Sequence, residues 1–160
     1  QTFGKEVKLV RTMPNTPALV GEGMTALSPN ERVTEDDLAV VEEIFQSFGR
    51  YAVVPEPMID VVTGVSGSSP AYAFLFIEAL ADAAVHEGMP RGQAYTFAAQ
   101  TLLGSAKMVL ETGKHPGALK DMVCSPGGTT IEAVRVLEEK GFRSAVMDAT
   151  IACIRKARDL

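Results

Sequence analysis

A chain of 160 residues is about one domain's worth of polypeptide, or two small ones. Apolar residues make up 46% and charged residues 22%, which excludes a disordered chain, a collagen-like repeat and a disulfide scaffold. Fifteen Lys and Arg against twenty Asp and Glu give a net charge of −5 with no basic block, the wrong balance for wrapping nucleic acid. Two cysteines, Cys124 and Cys153, are too few to staple a secreted fold; they point to a reducing, cytoplasmic compartment and read as small buried thiols. The longest apolar stretch, residues 70–80, is interrupted by Glu78 and is about half of what a bilayer crossing needs, so no membrane partner is expected. The amino end, residues 1–8, is polar and charged rather than signal-like, and the chain opens without a methionine, as a piece of a longer protein would.

In chain order, Val7–Arg11 reads as a short strand stopped by Pro14 and Pro17, and Met24–Leu27 as a second strand ended by Ser28-Pro29-Asn30. Thr34 followed by Glu35-Asp36-Asp37 is a helix start, with a capping hydroxyl and carboxylates at the positive end of the helix. Leu38, Val41, Ile44, Phe45 and Phe48 then recur at helical spacing, Gly49 is the expected cap, and Tyr51–Val54 is a third strand. From Ile59 onward only helices are expected. Ser69-Pro70 opens one that ends before Gly88, and Pro90 opens the next, to Glu111 with Thr112-Gly113 as its exit. Pro116 starts a short helix through Met122, with His115 placed to cap it. Thr129-Thr130-Ile131-Glu132 reads as a capping box for a helix to Lys140, and a last helix runs over 143–160.

Three short strands and one helix cannot cover both faces of a sheet, so the first segment reads as the end of a larger α/β domain. The helix from Pro70 lacks a polar face apart from Glu78, Asp82, His86 and Glu87, and a helix apolar all round is buried on every side. About a hundred helical residues would struggle to enclose it alone, so an extensive homodimer interface is expected.

Several places invite a chemical reading. Gly21-Glu22-Gly23-Met24-Thr25-Ala26 matches G-x-G-x-x-A, but Pro29 arrives before any helix, so a turn is favoured over a pyrophosphate loop. Gly64-Val65-Ser66-Gly67-Ser68-Ser69-Pro70 runs into a helix start and suits either a ligand-facing loop or ordinary capping. In Ser125-Pro126-Gly127-Gly128-Thr129-Thr130, two glycines expose successive amides, two hydroxyls add donors and a helix start favours negative charge. An anion site for a small carboxylate is favoured there over a plain interhelix turn. Glu78, Asp82 and His86 share one helical stripe, which reads as a polar face rather than a metal site. Cys124 has no histidine near it in sequence to activate it.

Residues 11–17 (Arg-Thr-Met-Pro-Asn-Thr-Pro), residues 63–72 (Thr-Gly-Val-Ser-Gly-Ser-Ser-Pro-Ala-Tyr), and His115-Pro116-Gly117 through Asp121 to Ser125–Thr130 follow one another in an order that resembles the pyrroline-5-carboxylate reductase family. The resemblance spans essentially the whole chain. It implies an α/β remnant over 1–56, the last strands of a Rossmann-type cofactor domain. An all-α dimerisation and substrate-binding domain follows over 57–160. The family's opening G-x-G-x-x-G fold is not in these residues, so the chain reads as a carboxyl-terminal portion, inactive alone. The implied reaction is hydride delivery from NADPH or NADH to the C=N carbon of 1-pyrroline-5-carboxylate, giving L-proline in the final step of proline biosynthesis. The implied active site lies between the cofactor domain of one protomer and the helices of its partner, in a homodimer that can build a larger ring.

Residue by residue, the resemblance gives Thr130 the catalytic position facing the imine nitrogen, a positioning hydrogen bond since a threonine is too weak an acid to drive proton transfer. Val123, Ser125, Gly127, Gly128, Thr129 and Thr130 match the substrate loop. Asn15, Thr16, Glu56 and Met122 fall on the cofactor side, Met122 where some members carry an asparagine. No metal is implied. Two rivals are weighed. Dehydrogenases acting on hydroxy acids place a lysine on the central helix, and residues 69–87 contain none. A non-catalytic homodimerisation module derived from a two-domain dehydrogenase is the other.

Overall fold

Val10 and Thr12 belong to a β-favouring run that Pro14 and Pro17 bring to a stop, and the strand that results, β1, is Val10–Met13. The computed structural model describes residues 6–159. β1 pairs antiparallel with β2 (Gly23–Pro29), and β2 pairs parallel with β3 (Gly49–Val53), so the sheet order is β1-β2-β3. With a neighbour on each edge, β2 carries the interior: Thr25, Ala26, Leu27 and Ser28 are all buried. The first strand starts three residues later than expected, and Asn30 is the reason. Its side chain accepts from the Leu9 N–H (3.3 Å) and donates to the Val7 carbonyl (2.9 Å), standing in for a ladder partner.

The crossover between the parallel strands is α1 (Glu35–Gln46), packed on β3. Thr34 and Asp37 form a reciprocal capping box: the Thr34 hydroxyl accepts from the Asp37 N–H (3.3 Å), and the Asp37 carboxylate accepts from the Thr34 N–H (2.9 Å). Lys8 pairs with Asp37 at 2.5 Å and, with the Thr34 bonds, holds its carboxyl well below the usual range. Gly49 is not the cap. Ser47 ends α1, and Gly49 opens β3 opposite Gly23, where a Cβ would run into the Gly23 backbone.

Beyond β3 the described chain is helical, as expected. A 3₁₀ turn (Glu56–Met58), α2 (Ile59–Val62) and a π turn (Thr63–Gly67) lead into α3 (Ser69–His86). Then come α4 (Arg91–Thr112), α5 (Pro116–Val123), α6 (Thr129–Glu139) and α7 (Phe142–Arg158). Gly88 and Gly113 take left-handed φ of 97° and 63° after α3 and α4, and the His115 Nδ1 accepts from the Gly117 N–H (3.0 Å) to cap α5. Two compact units emerge, Gln1–Tyr72 with Asp148–Leu160, and Ala73–Met147.

In the first unit, the glycine-rich segment is neither a loop nor a cap. It is the π turn, with the Thr63, Ser66 and Ser69 hydroxyls donating to the Ile59, Val62 and Gly64 carbonyls. A Cβ on Gly64 would collide with Ile154 and one on Gly67 with Met13, so these glycines serve close packing. Both cysteines are half-buried rather than buried; the Cys153 thiol lies 3.1 Å from the Ser68 hydroxyl.

In the second unit the buried side chains are Ala81, Ala94, Ala98 and Leu119. The expectation that α3 is enclosed on every side fails within one copy: Phe74 and Leu75 are 63% and 67% exposed, and Phe97 on α4 is 64% exposed. The chain exposes 11491 Å². A compact protein of 17.0 kDa exposes about 7,700 Å², and two separate compact bodies of half that mass about 9,300 Å² together. Surface beyond both figures is surface made for covering.

Replacing Thr34 by Ala removes the capping hydroxyl and should cost about 1 kcal/mol, read as a lower urea midpoint at fixed protein concentration. Because Asp37 titrates below its unfolded value of about 3.9, its contribution is complete above that pH and is lost as pH falls toward the folded value. The parent should therefore lose more stability than Thr34→Ala on acidification below pH 4. Parallel acid-side curves would refute the box as the source.

Candidate functional site

The segment Ser125-Pro126-Gly127-Gly128 is a β-turn dictated by its own residues. Proline suits the second position, and Gly127 takes the positive φ of 67° that the third position of a type II turn demands. The turn closes with the Gly128 N–H donating to the Ser125 carbonyl at 3.0 Å. Gly128 has an ordinary extended backbone, and a Cβ there would need the exposed Ser125 hydroxyl to turn aside. The sequence reading gave the loop two free glycine amides, whereas the Gly128 amide is spent on the turn itself.

The turn delivers the chain into α6 with Gly128 as N-cap. This moves the helix start one residue back from the expected capping box, and no side-chain cap forms. Glu132 therefore falls at the fourth helical position, too late to reach back, and instead binds Arg135 through three contacts of 2.8–3.1 Å. Arg135 also reaches Glu139 at 2.8 Å, and its charge holds the Glu132 carboxyl below its ordinary value. The amides opening α6 thus lack a cap from Gly128, and the acid nearest them is already neutralised by an arginine.

Gly127, Gly128 and Thr129 line an open hollow of about 520 Å³, completed by Glu132, Ala133 and Val136 from the next turns of α6. The last three were absent from the sequence reading, although their three-, four- and seven-residue spacing from Thr129 marks them as one helix face. Thr130, the residue expected to be catalytic, is half-buried on the first turn of α6 and does not line the hollow. Ser125 is exposed at the turn. Val123 belongs instead to a smaller hollow of about 280 Å³ between α4 and α5, with Ser105, Met108, Val109, Pro116, Leu119 and Lys120. Met122 is 64% exposed at the end of α5. Lys120 pairs with its neighbour Asp121 at 2.5 Å, which raises its pKa.

On the other unit, Asn15 is half-buried and bonded to the Met24 N–H at the amino end of β2, with Thr16 exposed beside it. Glu56 follows the carboxyl end of β3 and pairs with Arg11 at 3.2 Å. β2 and β3 run parallel, so these residues stand at opposite ends of the sheet, and the unit does not bring them together. Gly21 takes a left-handed turn out of the 3₁₀ segment Thr16–Val20, and Gly23 starts β2, so G-x-G-x-x-A is a turn into a strand. Asp82 pairs with Arg91, the His86 ring lies 2.9 Å from the Glu87 carboxylate, and among the described residues no group of three metal-binding side chains forms, so the stripe stands as a polar face. Among the described residues no helix is long and apolar enough to cross a membrane.

The family model for pyrroline-5-carboxylate reductase dimerisation matches residues 56–160. Pyrroline-5-carboxylate reductases of Escherichia coli (strain K12) and Arabidopsis thaliana are 66% and 49% identical over the whole chain. The chain spans 60% and 58% of their respective lengths. Among solved structures, a pyrroline-5-carboxylate reductase from Coxiella burnetii matches with a TM-score of 0.93 at 40% identity, over 98% of this chain and 58% of that one. The Plasmodium falciparum pyrroline carboxylate reductase with NADP bound matches with a TM-score of 0.90 at 40% identity, over 98% and 63%. A small mixed sheet followed by helices, and the glycine turn that opens α6, are thus the parts of a shared fold: the chain belongs to the pyrroline-5-carboxylate reductase family.

Proposed function

We propose that this chain forms the substrate-holding and dimer-forming part of an NAD(P)H-dependent reductase that converts 1-pyrroline-5-carboxylate to L-proline. The observation that carries the reading is the Ser125–Gly128 turn. It presents the amide end of α6 without a side-chain cap, with Thr130 on the first helical turn. Amides and dipole at that end suit the carboxylate of the cyclic imine. The Thr130 hydroxyl sets the imine nitrogen by a hydrogen bond while hydride adds to the C=N carbon and a proton to the nitrogen. Gly127, Gly128 and Thr129 shape the wall with Ser125 at the turn before them, while Val123 lines the separate hollow between α4 and α5.

Residues 1–56 are proposed as the end of a nucleotide-binding domain and 57–160 as the helical domain. Asn15, Thr16, Glu56 and Met122 are the residues proposed for the cofactor side. Since Asn15 and Glu56 stand at opposite ends of the sheet, these residues cannot enclose a dinucleotide by themselves, and no step is routed through them. The reduced nicotinamide, held by a dinucleotide-binding fold, supplies the hydride. The partner is a second copy of the chain, in a dimer or a ring of dimers, which covers the apolar faces of α3 and α4. The two free thiols suit a reducing cytoplasm.

Titrated with NADPH, the 160 residues alone should show neither binding nor turnover, and both should appear when a dinucleotide-binding region is joined to them. Turnover absent from the joined protein would instead support a non-catalytic dimerisation module. In the active form, Thr130→Ala should lower kcat by about 10- to 100-fold through lost alignment, with Thr130→Ser recovering most of it. Kinetics unchanged in Thr130→Ala would remove the role. Sedimentation should show dimers or multiples of dimers, and Leu75→Glu should shift them toward monomer; a parent that stays monomeric at high concentration would overturn the assembly.

A further inference from the structure

We infer that Asn15 is a positioning residue whose side-chain amide fastens the π turn Thr63–Gly67 to the start of β2. It thereby fixes the 3₁₀ turn carrying Thr16 relative to the start of α3. In the β1–β2 register Met13 lies opposite Ala26, so Asn15 falls opposite Met24. Pro14 has no N–H, and the backbone ladder stops at Met13. The Asn15 side chain continues it, its Oδ1 accepting from the Met24 N–H at 2.9 Å.

The other end of the same amide meets a need created 51 residues away. Nδ2 donates to the Ser66 carbonyl at 3.1 Å. That carbonyl has lost its regular helical donor, because the residue four positions on is Pro70, and the Ala71 N–H goes to the Ser68 carbonyl at 3.1 Å. A peptide carbonyl shielded from water calls for a donor. Among side chains of this length only asparagine accepts and donates at once; aspartate keeps the acceptor alone and leucine neither. The contact of Gly67 with the Met13 side chain presses the same turn against β1, so the lock is both bonded and packed. π turns gather at functional positions, and this one opens the helix that leads out of the sheet unit.

The inference rests on the reductase reading, because it assigns Asn15 to the alignment of cofactor side and helical side. β2, the 3₁₀ turn and the π turn carry no charged side chain. The charged groups on the elements beside them include Glu22, Arg11 (paired with Glu56), Arg50, which lies opposite Met24 on β3, and Asp60 on α2, which packs on both the π turn and β2.

The test uses a reductase of full family length carrying this chain. Asn15→Asp should lower kcat about tenfold at pH 8, with KM for the imine little changed. It should recover toward the parent only as pH falls to about 4, through the range where an ordinary aspartate titrates, because a protonated carboxyl again accepts from Met24 and donates to Ser66. Asn15→Ala should stay low relative to the parent at every pH. Exchange of the Met24 amide hydrogen should speed about tenfold in Asn15→Ala. An Asn15→Asp deficit that is flat with pH, or a Met24 amide exchanging at the parental rate in Asn15→Ala, would overturn the inference. A parent without reductase turnover would defeat the functional reading alone, and Met24 exchange would still decide the lock. Should Asn15→Ala not fold, Met24 exchange in the near-isosteric Asn15→Leu, which keeps neither bond, decides it.

Discussion

The helical unit buries too little of itself to stand alone, and much of the structure follows from that. Its buried side chains are three alanines and Leu119, while Phe74, Leu75, Phe97, Leu103 and Leu110 face outward. Burial yields roughly 25 cal/mol per Å² of apolar area, so alanines contribute little of what ordering four helices costs. Small residues here let helices approach closely; they do not supply a core. The larger side chains can contribute only against another surface, which the proposed second copy would supply. The candidate site sits on this same unit, so in the proposed dimer its geometry depends on that association.

Where a boundary is set by its own neighbours, the sequence shows it. Thr34 with Asp37, His115 before Pro116, and Gly88 and Gly113 after helices behave as their local chemistry dictates. Where a residue answers to something distant, it does not. Gly49 looks like a helix cap until Gly23 is seen across the sheet, and Gly64 and Gly67 look like loop residues until Ile154 and Met13 are seen against them. The capping box at Thr129 failed by one residue because Gly127 and Gly128 were both read as amide donors. In the structure Gly127 supplies a positive φ and the Gly128 amide closes the turn. The hollow on α6 includes Gly127, Gly128 and Thr129 from the stretch the sequence singles out; its far wall, Ala133 and Val136, needed the helix face to be built first.

Two asparagines show how side chains take over where a ladder fails. The pairing of β1 with β2 runs from Val10 opposite Pro29 to Met13 opposite Ala26, and Asn30 extends it at one end and Asn15 at the other. A strand of four residues is short for a sheet; Pro14 denies it a further backbone donor at one end, while at the other the Asn30 N–H still reaches the Leu9 carbonyl at 2.9 Å beside the side-chain bond. Amide side chains reproduce the donor and acceptor of a peptide group, so each lengthens the pairing without adding a strand residue. Both also reach beyond the sheet, Asn30 to the incoming chain at Val7 and Asn15 to the π turn at Ser66.

The electrostatics of α6 decide whether its amino end can receive an anion at all. A helix start favours a negative group by about 0.3–1 kcal/mol when exposed, and an acidic side chain in the same turn can cancel that through repulsion of similar size. Glu132 occupies such a place and lines the hollow. Arg135 changes the sign of the sum. It binds Glu132 through its Nε and Nη2 donors and Glu139 through Nη1, so the carboxylate is matched by a cation before any ligand arrives. A guanidinium holding two carboxylates is planar and pre-organised, and it keeps Glu132 directed along the helix rather than toward its opening amides. The same arginine therefore serves α6 twice, as an i, i+3 and i, i+4 brace for the helix and as the partner that matches the one acid near its opening amides, as the proposed carboxylate site requires.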